Sequence, residues 1–227
     1  MAKFLLFLLT GFHFASSNQP PQIVDTNSSR PCINLLVHNY ASVPLPLMKI
    51  AREITIEVLQ KANVDLRWVD QTEPYHTERE GGKAEPQARV YLMFIVKTAR
   101  GPLQQKPRKL GFASTEGVLK QAFIFYDRVS NNGNEVQRLL GHHLVHGFIL
   151  GHAIVHELSH LVLGPGHSKS GLMRDAWDLS DMWEMIHGGL HLTGAQANEF
   201  RSKLARNNDV WCNTQNFSHE STAITPD

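Results

Sequence analysis

The residues best equipped for chemistry in this chain are His156, Glu157 and His160, in the run His-Glu-Leu-Ser-His. On a helix, side chains four apart share one face and lie about one turn apart. Both imidazoles then reach a single zinc ion at roughly 2.0–2.1 Å. Glu157 directly follows His156 and points to a different part of the same rim. There its carboxylate can hydrogen-bond a metal-bound water without ligating the metal. Zinc lowers the pKa of such a water to about 7 and polarises a carbonyl. The carboxylate would take the water proton and pass it to a leaving amine. The flanking residues are Ala153, Ile154, Val155, Leu158, Leu161, Val162 and Leu163. They predict a buried helix, in which an unpaired His or Glu would be costly.

A zinc site takes at least three protein ligands. The next histidine is His167, past Gly164-Pro165-Gly166, and Ser170-Gly171-Leu172-Met173 follows it. With these residues the chain resembles the metzincin clan of zinc peptidases. That clan's pattern is HExxHxxGxxH with a methionine-bearing turn (the Met-turn) beneath the metal. This chain reads HELSHLVLGPGH and then GLM. The resemblance implies one zinc ion, with His156, His160 and His167 as ligands and Glu157 as general base. It implies Gly164 at the sharp turn and Met173 as the Met-turn residue. It is nearest to small bacterial members and to the archaemetzincins, although the further zinc-binding cysteines of the latter are absent. Two departures stand out. One extra residue follows His160, so Gly164 and His167 each fall one place late. Arg174 and Asp175 follow the methionine, where some metzincins have a tyrosine that assists the oxyanion. Glu184, Asp175 and Asp178 stay open as other third ligands, since carboxylates also complete zinc sites.

Positioning these groups requires a scaffold. Ile33 to Val37 reads as a short strand, and the apolar spacing over 44–62 as an amphipathic helix. Residues 65–69 read as a second strand and 71–87 as a loop. The apolar run 90–96 reads as a central strand buried on both faces. Residues 112–115 read as a short edge strand and 122–129 as a further strand. A long helical tract then runs to Leu163, stopped by Gly164 and Pro165. A short helix near 178–187 and a helix over 194–206 follow. Thr193 and Gln196 have capping-box spacing for the last of these. This order makes an α+β protein of the three-layer α/β/α kind. By the resemblance it has a mixed-sheet upper lobe, a long active-site helix and a small helical lower lobe. The upper lobe spans 31–163 and the lower lobe 164–213, together a metzincin-like catalytic domain over 31–213. The resemblance also implies that a substrate peptide pairs with residues near 111–117. Backbone pairing of that kind makes little sequence demand.

The helical tract contains a repeat. Leu140, Gly141, His142, Val145 and His146 recur ten residues later as Leu150, Gly151, His152, Val155 and His156. The first copy has Gly147 where the second has Glu157, and so lacks the base. It reads as a short tandem duplication that lengthened the helix, its histidines turned to a surface or packing face. A weak second metal site at His142 and His146 is the functional alternative. His152 reads as a packing residue. His187 and His191 read as loop histidines, because Gly188-Gly189 separates them.

The remaining features set the setting. The chain has 227 residues, 42% of them hydrophobic, and a formal charge of +1, which gives no pull toward nucleic acid. Residues 1–17 fit a signal peptide, with Lys3, an apolar run and small residues after it. A secreted or periplasmic location follows, without stable membrane insertion after cleavage. Residues 18–30 read as a flexible leader, too short for an inhibitory prodomain, and 214–227 as a disordered tail. In an exported protein the two cysteines, Cys32 and Cys212, suggest one disulfide. Lys106, Arg108 and Lys109 read as a solvated basic loop. The expected function is a secreted zinc endopeptidase acting on a peptide or protein. Its rival is a non-catalytic protein of the same fold that binds zinc or a peptide. Nothing in the sequence sets an oligomeric state.

Overall fold

The computed structural model describes residues 30–70, 90–106, 108–116 and 119–206. The expected signal peptide, leader through position 29, loop over 71–87 and tail lie outside these residues. So does Cys212, and with it the expected disulfide.

Among the described residues the chain builds a five-stranded mixed sheet and five α-helices, the fold class expected. Strand β1 (Cys32–Asn39) leads into helix α1 (Leu45–Lys61), which crosses to β2 (Asp65–Asp70). Strand β3 (Val90–Val96) follows, then the edge strand β4 (Gly111–Ser114) and β5 (Gln121–Phe125). The spatial order is β2-β1-β3-β5-β4, and only β4 is antiparallel, against β5. Helices α2 (Tyr126–Leu140), α3 (Val145–Leu163), α4 (Leu179–Ile186) and α5 (Gly194–Arg206) complete the chain.

Two local expectations are corrected. Residues 122–129 are not one strand. β5 stops at Phe125, whose N–H bonds to Leu110 at the start of the edge strand, and α2 begins at the next residue. β3 is not equally buried on both faces. Tyr91, Met93 and Ile95 are buried, while Leu92 and Phe94 are half-buried. On that second face the rings of His38, Phe94 and Phe123 stack across three strands.

The helical tract is also two helices rather than one. α2 ends at Gly141, a left-handed cap (φ 69°) whose N–H bonds to Gln137. α3 starts four residues later and runs through the middle of the molecule. It touches α1, α2, α4, α5 and strands β3, β4 and β5. Residues 149–162 of α3 are all buried. A helix apolar all round belongs in an interior. α1 lies close along it: a Cβ at Gly151 would stand 2.8 Å from the Ala51 carbonyl oxygen. Alanine at that point of approach is excluded by the backbone opposite.

The lower part is fastened by caps and carbonyls. Asp178 and Asp181 form a capping box on α4, and Arg174 bonds both carboxylates. Thr193 and Gln196 form the expected box on α5. Arg201 of α5 reaches the Ala62 carbonyl at the end of α1 (2.7 Å).

Candidate metal centre

The site begins with the face of α3 that carries His156, Glu157 and His160. Each is buried, at 9%, 6% and 9% exposure. Water solvates the charged form of an imidazole or carboxylate, so burial favours the neutral form. Burial lowers His156 to about 4 and raises Glu157 to about 8. Burial likewise lowers His160 and His167.

The three histidines converge. His160 Nε2 lies 3.1 Å from His156 Nε2 and 3.2 Å from His167 Nε2. Nitrogens bound tetrahedrally to zinc at 2.0–2.1 Å stand about 3.3–3.4 Å apart. The other ring nitrogens are engaged elsewhere. His156 Nδ1 donates to the Leu172 carbonyl (2.9 Å) and His160 Nδ1 to the Gly164 carbonyl (3.2 Å). His167 Nδ1 lies 3.3 Å from Asp175 Oδ1. A neutral imidazole that donates from Nδ1 has only a lone pair at Nε2. Three lone pairs aimed at one point repel each other unless a cation sits between them. The donor set therefore fits a metal ion, and imidazole nitrogen suits zinc. Among the described residues this is the only cluster of three or more such side chains.

The residue before Gly164 belongs to the helix rather than to the turn. The Gly164 N–H still closes a helical bond to His160 (2.9 Å), so α3 simply runs one residue longer. Gly164 then adopts φ 96° and ψ −176°, a conformation essentially restricted to glycine. Its carbonyl is the one that orients His160. The turn thus reverses the chain and fixes a ring with one residue.

Met173 is buried at 3% exposure, and its carbonyl accepts from the Ser168 N–H (2.8 Å). Leu172, just before it, receives both His156 Nδ1 and Trp177 Nε1 (3.1 Å). Its own N–H bonds to His191 (3.0 Å). The Trp177 ring stands edge-on to His156 at 5.5 Å.

Glu157 faces the sheet edge. A Cβ on Gly111 would lie 2.6 Å from the Phe123 carbonyl oxygen and 2.7 Å from Glu157 Cγ and Oε1, so backbone and carboxylate together leave room only for glycine at the first residue of β4. The carboxylate borders a cleft of about 660 Å³ that also takes in the three histidines, Trp177 and residues 108–116 of the edge strand.

The other candidate ligands do different work. Asp178 caps α4, and Glu184 is exposed on that helix and outside the cleft. Asp175 lies behind His167 as a brace rather than in front as a ligand. A carboxylate of that kind sets a ligand's tautomer and raises its basicity. The sequence marks Asp175 only as a possible ligand, and nothing in it points to this role. The first-copy histidines turn apart. His146 packs on Gly133 of α2, with Nε2 3.0 Å from Asn134 Oδ1, and the His142 ring stands edge-on to Phe148. His152 is 1% exposed, its Nδ1 donating to Phe148 (2.8 Å). His187 stacks on Trp183 at 3.9 Å.

No family model and no curated protein matches this chain. Among solved structures it is similar to the crystal structure of archaemetzincin from Methanopyrus kandleri. The two are 16% identical, the match covers 78% of this chain and 97% of that one, and the TM-score is 0.47.

Proposed function

We propose that this chain is an exported zinc-dependent endopeptidase. One observation carries the reading: three neutral imidazoles present lone pairs to one point, beside a buried carboxylate, at the wall of an open cleft. His156, His160 and His167 would hold one zinc ion. Bound there, zinc supplies a Lewis acid and an acidified water.

The chain's own residues supply the rest. Glu157 is the base. Burial makes its carboxylate more proton-hungry than an exposed one, which suits removal of a proton from water near neutral pH. It then carries that proton to the departing amine. Among the described residues β4 lies at the edge of the sheet, with only β5 beside it. An extended peptide can add to its free side by main-chain hydrogen bonds, and its alternate side chains then enter the cleft. Export rests on residues 1–17, which lie outside the described part. Among the described residues no helix is long and apolar enough to cross a membrane.

The test is cleavage of a mixed peptide library by the mature protein, beside a folded, metal-loaded Glu157→Gln variant. Both should hold one zinc per chain. The first should cleave, and the second should be slower by ~10²–10⁴-fold, the span of general-base catalysis. Zinc binding without cleavage by the first would leave the non-catalytic binding protein as the reading.

A further inference from the structure

The cleft contains a cation that makes no ion pair among the described residues. Lys109 lines it together with Glu157 and the three histidines, and is half-buried. Among the described residues no ion pair or hydrogen bond engages its ammonium. Of the other cations nearby, Arg174 is held by Asp178 and Asp181 and Arg128 by backbone carbonyls, while Arg108 lines the cleft too but is exposed.

Register places the lysine. Pairing of β4 with β5 continues one residue before Gly111, through the Phe125 N–H to the Leu110 carbonyl (2.8 Å). In extended chain, residues two apart share a face and lie roughly 6.6 Å apart, within reach of a lysine side chain. Gly111 rests on the Glu157 carboxylate. Lys109 lines the same cleft wall just before the strand, close enough to that carboxylate for its charge to act on it. Its charge bears on all four site residues, opposing burial at Glu157 and adding to it at His156, His160 and His167.

The backbone beneath the lysine is braced. Arg128 is buried, and its guanidinium donates to the carbonyls of Lys109 (2.5 Å), Lys106 (2.8 Å) and Leu103 (2.8 Å). It stands 4.8 Å above the Phe125 ring. A planar fork on three carbonyls fixes the loop in place. An exposed basic loop that served only solubility would not need a buried arginine to hold it.

Resting on the peptidase reading, we propose that Lys109 is a catalytic residue whose ammonium donates a hydrogen bond to the scissile carbonyl oxygen as that oxygen becomes negative. In this step the water oxygen adds to the carbonyl carbon. The carbonyl π pair moves onto its oxygen, and the water proton goes to Glu157. A cation already in place stabilises the new charge without reorganising. It fills the role for which the sequence offers no tyrosine after Met173.

The experiment compares zinc-loaded wild type, Lys109→Met and Lys109→Arg on two peptides differing only by Glu or Gln beside the cleaved bond. Binding of a phosphinic peptide, whose anionic oxygen imitates the developing charge, and zinc affinity are measured alongside. Lys109→Met should lower kcat by ~10²–10³-fold, the cost of losing one oxyanion donor, with KM little changed and equally for both peptides. Phosphinic-peptide affinity should fall in parallel, and Lys109→Arg should restore part of both. Zinc affinity should hold or rise, because a cation facing the metal has been removed. Unchanged kcat, or a loss confined to KM for the Glu peptide, would overturn the proposal, as would weakened zinc binding. Wild type that binds zinc and cleaves neither peptide would overturn the peptidase reading itself, and Lys109's role with it.

Discussion

The segments 139–148 and 149–158 share a sequence phrase and have opposite fates. The first spans the break between α2 and α3, with Leu139, Leu140 and Leu144 exposed. The second is buried throughout. His146 and His156 hold the same place in the phrase. One clasps Asn134 on a neighbouring helix, and the other aims a lone pair at two further imidazoles. The lesson is that a histidine becomes a ligand through what occupies its second nitrogen and what surrounds it. Its local sequence does not decide this. The Leu172 carbonyl, sixteen residues further along, gives His156 a tautomer that serves a metal.

Substitutions at matched positions sharpen the contrast. The largest effect should come from His156→Ala, which removes zinc binding by several orders of magnitude in calorimetric titration. His146→Ala should leave both zinc affinity and cleavage unchanged. Equal losses from the two would erase the distinction between the copies. Next is the brace behind the third imidazole. Asp175→Asn should weaken zinc 10–100-fold, the usual cost of losing such a partner. An unaltered constant would mean that His167 needs no orientation.

A smaller effect concerns pH. Burial lowers the folded-state pKa of His152 to about 4, against about 6.5 unfolded. The unfolded chain then binds more protons between those values, so folding weakens as pH falls through that window. The whole loss is about 3 kcal/mol, at about 1.4 kcal/mol for each pH step between the two values. Chemical denaturation of metal-free protein from pH 7 down to pH 4 should show a slope that His152→Asn reduces. Equal slopes would remove His152 as its source. The smallest effect is at the first copy. His146→Ala should cost about 1 kcal/mol through loss of one hydrogen bond and its contact on Gly133.

Much of this was legible in the chain. Periodicity located the strands near 33, 65 and 90 and the helices over 44–62 and 194–206. The spacing of His156 and His160 located the helix face on which three imidazoles converge. The break at Gly141 was missed because apolar residues recur at helical spacing across it. Only the left-handed cap marks the end, and glycine alone does not specify that conformation. The end of β5 was hidden for a related reason. Tyr126 and Val129 are as apolar as a strand requires, and where pairing stops is set by the partner strand. Arg128, Asp175 and Lys109 were unreadable in principle. Each acts through a residue remote in sequence, and composition shows only a charge in a polar stretch.

β4 carries one more consequence. A sheet edge open to a substrate is open to any extended chain, including another copy of itself, and long flat edges invite such pairing. This edge is four residues long, opens on a glycine and is backed by a single antiparallel neighbour. Four residues give a visiting strand only a few main-chain bonds. On the proposed reading, a substrate would recover the deficit by also reaching into the cleft beside it. If the proposed activity holds, brevity would work as a filter on residence time: partners held by backbone alone would leave, and those that fill the cleft would stay long enough to react.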